Sequence, residues 1–468
     1  MNLKFNADDY TVQTVEEDGY ILTYRAFENI PYVKYPKDER IQVLNIYVPE
    51  HYYSEGSEGR LQLNRTPIFM PNSVGGYMPG SVEKPGKDIM GKTNAIFYAL
   101  KHGYVVVSPG VRGRTMKDSN GKYIGTAPAA ICDLKAVVRY LHYNAERIPG
   151  DVGKIISNGT SAGGALSSLL AASGNHPDYE KYMQEMGAAE GSDAIFAASC
   201  YCPITNLEHA DMAYEWEFCG LNDYYGKLIA KNTEGAPKLI KVDGVMTKEQ
   251  QEMSVVLKNM FPSYVNSLSL TDENGRLLSL DGNGEGTFVD FICDVVRDSM
   301  QRELEKGGNL SALEWAQIEE NKVEKIDFRK YIAFRTRMKD TPAFDNIGLG
   351  TAETELFGTA DIQYRHFTEF GYRHSSVNGK LAEKGLIRMM NPMNYIDDEK
   401  CTTAKYYRIR HGAADRDTSL AISALLVAKL KNSGVKVDFT YPWGVSHSGD
   451  YDLEELFHWI DEISSKKR

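Results

Sequence analysis

A five-residue turn, Gly159-Thr160-Ser161-Ala162-Gly163, limits the folds open to this chain more than any other stretch. A β-compatible run at 154–158 precedes it, and a run of small and apolar residues at 164–173, typical of a helix, follows it. Glycine-x-serine-x-glycine at a sharp turn from strand to helix is a nucleophile elbow, which exposes the serine hydroxyl above a sheet. The glycines are needed because the turn is strained and the flanking backbones approach closely. The turn therefore predicts that Ser161 is a nucleophile and that Ala162 N–H, at the helix start, faces a developing negative charge.

Length and charge exclude several classes of protein. The chain has 468 residues, an apolar content of 42% and a net charge of −11. It is long enough for one large core with an insertion, and its acidic balance disfavours binding to nucleic acid or to an anionic membrane surface. Residues 1–10 lack the apolar core of a signal peptide, and no stretch approaches the ~18 apolar residues of a membrane span. We therefore expect a cytoplasmic protein with neither nucleic-acid nor membrane partners.

The cysteines do not indicate a metal centre. All six are scattered along the chain, and Cys200 and Cys202 are separated by one residue rather than the two or more of common zinc motifs. We expect reduced, structural thiols, no metal site and no cofactor.

Strand-like and helix-like segments alternate along the first 200 residues. The run at 41–48 alternates between apolar and polar residues like a half-exposed strand, and the runs at 67–70 and 104–107 are continuously apolar, as in buried parallel strands. Further strands are predicted at 155–156 and 194–199, and helices at 93–102 and 131–143. This alternation predicts an α/β fold whose central sheet is mostly parallel.

The alternation breaks after residue 204 and returns near residue 396. A charged and aromatic segment fills the gap, with a turn or hairpin at 272–286, and the chain then resumes with strands at 406–410 and 437–441 and helices at 420–430 and 452–464. One strand-helix step needs only ~30 residues. We therefore predict a catalytic core formed by 1–204 and 396–468, with 205–395 inserted as a lid domain over the elbow.

An activated serine needs a base and an acid, which follow it in this chain order when the elbow lies on an α/β sheet. His447 and His458 are the histidines beyond the last predicted strand, and His447 is favoured because it lies in a loop directly after that strand. His458 lies in the closing helix and is predicted to be on the surface. The loop after 406–410 contains Asp415 and Asp417, and their spacing does not decide which is the acid.

An oxyanion hole needs N–H donors aimed at the tetrahedral oxygen. Ala162, directly after the serine, is one predicted donor. The second is predicted from the loop after the strand at 67–70, where Gly75 and Gly76 are the alternatives. Together these elements predict a serine hydrolase.

Several longer segments resemble bacterial tannases, members of the α/β-hydrolase superfamily. They cover 158–164, 206–216, 410–418 and 447–453, and the resemblance extends over essentially the whole chain. It implies an esterase that hydrolyses galloyl esters, with a small phenolic ester as its partner. Residue by residue, it implies that Ser161 is the nucleophile, Asp415 the acid and His447 the base.

The resemblance also implies a clamp for the three galloyl hydroxyls, formed by Lys339, Glu353 and Asp417. Glu355 competes with Glu353 for its place. Charged partners for three adjacent phenols are chemically reasonable, since such contacts discriminate against analogues that lack a hydroxyl. Two alternatives stay open: a feruloyl or other hydroxycinnamoyl esterase with the same triad, and a catalytically inactive protein that binds a phenolic ligand.

Overall fold

The computed structural model describes residues 1–54, 56–88, 90–230 and 238–465. Its strands are, in chain order, β1 (Thr11–Glu17), β2 (Tyr20–Pro31), β3 (Val43–Pro49), β4 (Pro67–Pro71), β5 (Val105–Pro109), β6 (Asp151–Thr160), β7 (Ala197–Tyr201), β8 (Asp223–Ala230), β9 (Lys238–Val245), β10 (Ala316–Glu319), β11 (Lys322–Ile326), β12 (Tyr406–Arg410) and β13 (Lys436–Thr440).

Nine of these strands form one large sheet in the order β1-β2-β3-β5-β4-β6-β7-β12-β13. In this spatial order, the first four strands, β1, β2, β3 and β5, pair antiparallel with one another. Every following pair, from β5–β4 to β12–β13, is parallel. The prediction of a mostly parallel α/β sheet is therefore confirmed, although the sequence patterns did not reveal the antiparallel β1–β2 ribbon at its edge.

Helices cover both faces of the sheet. They are α1 (His51–Ser54), α2 (Gly56–Leu63), α3 (Ala95–Lys101), α4 (Ala129–Tyr143), α5 (Ala162–Ala172), α6 (Glu180–Met186), α7 (Leu207–Phe218), α8 (Lys248–Ser267), α9 (Thr287–Glu305), α10 (Phe328–Arg335), α11 (Ala352–Leu356), α12 (Glu369–Arg373), α13 (Lys384–Met389), α14 (Leu420–Asn432) and α15 (Leu453–Ser465). No helix in the described ranges is long and apolar enough to cross a membrane.

Alternating side chains of the strands build two apolar layers. In β4, Phe69 packs with α3 and α15 on one face, whereas Ile68 and Met70 pack with α4, α5 and α14 on the other. This is the period of two that a strand imposes on its side chains. Helix α5 is buried along its whole length, and its small residues let it lie close to β6 and β7.

Most predicted elements lie within a few residues of the observed ones, with two corrections. The strand predicted at 194–199 is β7 at Ala197–Tyr201, three residues later at its start. The strand predicted at 41–48 as half-exposed is β3, and all of its residues are buried. The alternation misled there because β3 lies between β2 and β5 with both faces covered, and polar side chains such as Asn45 are hydrogen-bonded inside.

The segment between β7 and β12 adds no strand to the large sheet within the described ranges. Its strands form the separate pairs β8–β9 and β10–β11, and a bridge between Thr271 and Leu277 closes the turn predicted at 272–286. The insertion and the core nevertheless share one buried apolar cluster, in which Trp216 and Phe288 belong with Leu420 and Ala424. The boundaries predicted for a separate lid domain at 205–395 stay a prediction.

Candidate active site

The predicted serine lies at a strained turn between β6 and α5. Ser161 has φ 59° and ψ −121°, a conformation that residues other than glycine rarely adopt. Its N–H donates to Tyr201 O at 2.9 Å, which ties the turn to the end of β7. A Cβ added to Gly159 would lie 2.4 Å from Gly163 O, and one added to Gly163 would lie 2.6 Å from Val74 O. The glycines are therefore required by close packing of backbones, as the pattern predicted.

The predicted acid and base are in contact. His447 Nδ1 lies 2.7 Å from Asp415 Oδ2, and because an ionised carboxylate only accepts, Nδ1 carries the hydrogen. Burial would raise the pKa of Asp415, but the charge and hydrogen bonds of His447 and His411 hold it well below its ordinary value. Burial would lower the pKa of His447, but the Asp415 carboxylate raises it well above its ordinary value. The protonated imidazole of His447 and the carboxylate of Asp415 therefore stabilise each other as an ion pair.

The second ring nitrogen of His447 faces a thiol. Cys202 Sγ lies 3.8 Å from Nε2, whereas no hydrogen bond joins His447 to Ser161 Oγ in the described part of the chain. Catalytic hydrogen bonds are often long before substrate binds and tighten only in the complex. Ser161, Cys202 and His447 follow β6, β7 and β13 respectively, and the carboxyl ends of these strands lie at one edge of the sheet.

Asp415 has a second histidine contact that the sequence patterns did not reveal. His411 Nε2 lies 3.3 Å from the same Oδ2 atom, and both side chains are fully buried. His411 Nδ1 lies 2.8 Å from Ser423 Oγ in α14. The order of serine, acid and base along the chain points only to histidines after the last strand, and His411 precedes that strand. Its spacing of four residues from Asp415 is the sequence signal that indicates the contact.

A buried asparagine holds the predicted oxyanion loop against the elbow. Asn72 Nδ2 donates to Asn158 O at 3.1 Å, to Gly163 O at 3.2 Å and to Ser167 Oγ at 3.0 Å, while its Oδ1 accepts from Val74 N at 3.4 Å. This network fixes the loop that begins after β4 beside the start of α5.

The three candidate oxyanion donors are backbone N–H groups. In the described ranges, the backbone N–H groups of Ala162, Gly75 and Gly76 donate to no protein acceptor. Gly76 O accepts from Arg114 Nε at 2.8 Å, which anchors the loop from its other side. The structure brings Gly75 and Gly76 to the same exposed turn and does not choose between them.

The three charged residues of the predicted clamp lie together beside the acid. Lys339 Nζ is 3.0 Å from Asp417 Oδ1, and Asp417 N donates to Asp415 Oδ1 at 2.8 Å. Burial raises the pKa of Glu353, and the charge of Lys339 opposes this rise. Burial would lower the pKa of Lys339, but Asp417 and Glu353 raise it above its ordinary value. Lys339 and Asp417 thus form an ion pair next to the predicted acid, and the charge of Lys339 also acts on the Glu353 carboxylate.

The competing glutamate has a different partner. Glu355 forms a buried ion pair with Arg114 and accepts a hydrogen bond from Gln363 Nε2 at 2.7 Å. Its carboxylate is therefore occupied, whereas Glu353 interacts electrostatically with Lys339 and Asp417. Glu353 is therefore favoured over Glu355 as the second carboxylate of the clamp, and its role in binding the galloyl ring stays a prediction.

Buried ion pairs fix the insertion to the acid loop. Arg335 pairs with Glu217 and donates to the carbonyl oxygen of Asp415, and Glu217 Oε2 accepts from Leu420 N, at the start of α14, at 2.9 Å. A second pair, Arg337 with Glu215, is fully buried, and Arg337 Nε donates to Lys339 O at 2.5 Å. These contacts couple the insertion directly to the loop that carries the acid.

A tyrosine joins the loop that contains Lys339 to the loop that contains Asp417. Tyr214 Oη accepts from Met338 N at 3.2 Å and from Lys339 N at 3.1 Å, and it donates to Arg416 O at 3.1 Å. It therefore sets the position of Lys339 relative to Asp417. The sequence patterns gave no sign of this role.

Comparisons with known proteins agree with this geometry. The family model BD-FAE, an α/β-hydrolase family, matches residues 68–243. The crystal structure of Fusobacterium nucleatum tannase is 49% identical, with a TM-score of 0.95, and the match covers 99% of this chain and 100% of that one. Lactobacillus plantarum tannase is 44% identical, with a TM-score of 0.95 and 99% coverage of both chains. A tannin acyl hydrolase solved in complex with ethyl gallate is 44% identical, with a TM-score of 0.92 and 99% coverage of both chains. The comparison with curated proteins found no match.

Proposed function

This chain belongs to the tannase family and is a carboxylic ester hydrolase, and we propose that it hydrolyses galloyl esters through an acyl-enzyme on Ser161. The tannin acyl hydrolase that resembles it binds ethyl gallate, which supports the substrate class. The charged cluster of Lys339, Glu353 and Asp417 beside the triad acid is the observation that carries the proposal. Such a cluster matches the three adjacent hydroxyls of a galloyl ring.

In the proposed reaction, His447 Nε2 takes the proton of Ser161 Oγ as that oxygen attacks the ester carbonyl. Asp415 stabilises the imidazolium that forms, which agrees with the lowered pKa of Asp415 and the raised pKa of His447. The N–H of Ala162 and that of Gly75 or Gly76 donate to the tetrahedral oxygen. His447 then protonates the departing alcohol, and water, deprotonated by the same nitrogen, releases gallate from Ser161.

The clamp supplies specificity in this proposal. Lys339 donates to phenol oxygens, and the carboxylates of Glu353 and Asp417 accept from phenol hydrogens. Asp417 is separated from Asp415 by one residue and donates its backbone N–H to that carboxylate. A ring held by Asp417 is therefore held at a set distance from the base, which is the condition for an oriented attack.

The test is a kinetic panel of methyl gallate, methyl protocatechuate and methyl ferulate on the wild-type protein and on Asp417→Asn. This substitution keeps the shape of the side chain and removes its charge. We expect kcat/KM for methyl gallate to fall about 100-fold, with a smaller fall for the ferulate ester, because charge-assisted contacts to phenols are lost.

A matched control is Asp361→Asn, since Asp361 is an exposed aspartate of the insertion that pairs with Lys122. Its kcat/KM values are expected to equal those of the wild type. Equal losses for all three esters in Asp417→Asn would contradict the clamp. A wild-type preference for the ferulate ester would replace the galloyl proposal with the hydroxycinnamoyl esterase.

A further inference from the structure

We call the edge of the large sheet that is followed by Ser161, Asp415 and His447 the catalytic edge. It contains a thiol that the proposed reaction does not use. Cys202 lies directly after β7 and is fully buried. Its Sγ atom is 3.8 Å from His447 Nε2 and donates to Ser448 O at 3.5 Å. Cys202, Asp415 and His447 each place one ligand atom within 4.8 Å of the others. In the part of the chain that the structure describes, this is the one group of three or more such residues whose spacing suits a metal ion.

The distance between the sulfur and the nitrogen suits a tetrahedral cation. Typical bonds of about 2.3 Å from zinc to sulfur and about 2.05 Å from zinc to nitrogen place the two ligand atoms about 3.5 Å apart at the tetrahedral angle. The observed 3.8 Å between Cys202 Sγ and His447 Nε2 needs only a slightly wider angle.

The acid of the triad prepares the histidine as a ligand. Because His447 Nδ1–H donates to Asp415 Oδ2 at 2.7 Å, Nε2 is the ring nitrogen that faces Cys202, and it offers a lone pair once the imidazolium has lost its second proton. A carboxylate behind the far nitrogen of a ligating histidine is the usual arrangement in zinc sites, where it fixes the ring and raises its basicity. The hydrogen bond that serves catalysis therefore serves metal binding equally well.

We propose that Cys202 and His447 form an inhibitory site for a soft divalent cation such as Zn²⁺ or Cd²⁺. Binding releases two protons to solvent, one from the Cys202 thiol and one from Nε2 of the His447 imidazolium, and the thiolate and Nε2 then bind the cation, with water completing the coordination. Thiolate and imidazole ligands select such ions over Mg²⁺ and Ca²⁺. Inhibition follows because the cation occupies the lone pair that would accept the Ser161 proton; this consequence rests on the proposed function, whereas the binding does not.

Binding is tested without turnover. Ser161→Ala protein is titrated with CdCl₂, and the ultraviolet thiolate-to-cadmium charge-transfer band is followed. We expect a band that saturates at one Cd²⁺ per chain, disappears in Ser161→Ala/Cys202→Ser and persists in Ser161→Ala/Cys219→Ser, since Cys219 is a half-buried cysteine at the end of α7. A band that survives the loss of Cys202 would overturn the site, whatever the esterase activity proves to be.

Inhibition is tested on methyl gallate hydrolysis. We expect Zn²⁺ to inhibit the wild-type protein, EDTA to reverse the inhibition and Mg²⁺ to have no effect. Each variant is compared with its own metal-free rate, and the half-inhibitory Zn²⁺ concentration is expected to rise at least tenfold in Cys202→Ser and to stay unchanged in Cys219→Ser. Equal inhibition of Cys202→Ser and the wild type would overturn the inhibitory role.

A measurement on the unsubstituted protein covers the case in which Cys202→Ser fails to fold. Alkylation of each cysteine by iodoacetamide is followed by peptide mass spectrometry with and without Zn²⁺. We expect Zn²⁺ to slow alkylation of Cys202 and to leave that of Cys219 unchanged. If Zn²⁺ does not slow the alkylation of Cys202, or slows that of Cys202 and Cys219 equally, the proposal is contradicted.

Discussion

The catalytic edge and the charged clamp are held in place by different kinds of interaction. The edge depends on backbone geometry, since Gly159 and Gly163 allow carbonyl groups to approach where a Cβ would clash. The clamp depends on buried ion pairs between residues far apart in the chain, Arg335 with Glu217 and Arg337 with Glu215. Local backbone constraints leave a short motif in the sequence, whereas a pair of distant charges leaves none. The two regions should therefore respond differently to substitution.

The largest expected effect is at the catalytic edge. Ser161→Ala should lower kcat by at least about 10⁴-fold for every ester, because each ester must form its acyl-enzyme on the Ser161 oxygen. The same variant should resist labelling by a fluorophosphonate that modifies the wild type. Ser446→Ala, which removes an exposed hydroxyl from the loop of His447, should retain full activity. Unchanged hydrolysis by Ser161→Ala would refute the mechanism, and an unlabelled, inactive wild type would favour the inactive binding protein.

The next effect concerns the ion pairs of the insertion. Arg337→Met leaves Glu215 buried without its partner, so the free energy of unfolding should fall by about 3–5 kcal/mol. The exposed pair of Arg373 with Glu369 supplies the control, since Arg373→Met should change stability by less than about 1 kcal/mol. Urea unfolding measures both. A small loss in Arg337→Met would show that the clamp is not held by its buried charges.

A pair of tyrosines distinguishes the two regions by substrate. Tyr214→Phe removes the hydroxyl whose three hydrogen bonds join Met338 and Lys339 to Arg416. The value of kcat/KM for methyl gallate should fall at least about tenfold, which is the cost of about one such hydrogen bond. Tyr331 donates instead to Ala413 O beside the triad acid, so Tyr331→Phe should affect gallate and ferulate esters equally. Identical profiles for the two variants would remove the distinction between clamp and edge.

The smallest expected effect is a pH dependence where the insertion begins. Burial lowers the pKa of His209 from 6.5 to about 4, with its ring stacked on Tyr264 in α8. The unfolded chain binds this proton more readily, so stability is complete above pH 6.5 and is lost as the pH falls toward 4. Between pH 7 and pH 5.5, the wild type should lose about 1 kcal/mol more than His209→Phe. Parallel pH profiles of unfolding would show that His209 titrates normally.

Much of the edge was predictable because strand order and backbone sterics act locally. The elbow, the parallel strands from β4 onward and the position of His447 after β13 follow from short patterns, whereas the choice of Asp415 over Asp417 came only from the resemblance to tannases. The burial of β3 was not predictable, since its alternating residues are covered by neighbours from elsewhere in the chain. Lys339 and Glu353 were found only through resemblance to a family, because a charged residue by itself is typical of a surface.

The sequence by itself determined the elbow at Ser161, since only glycine tolerates the approach of backbone that this turn requires. It also determined the chain order of acid and base, because connections between parallel strands bring their carboxyl ends to one edge. The tertiary structure alone decided that Glu355 pairs with Arg114 rather than with Lys339, and that Cys202 faces His447. These are contacts between side chains whose partners lie on different elements, so their distances depend on how the elements pack.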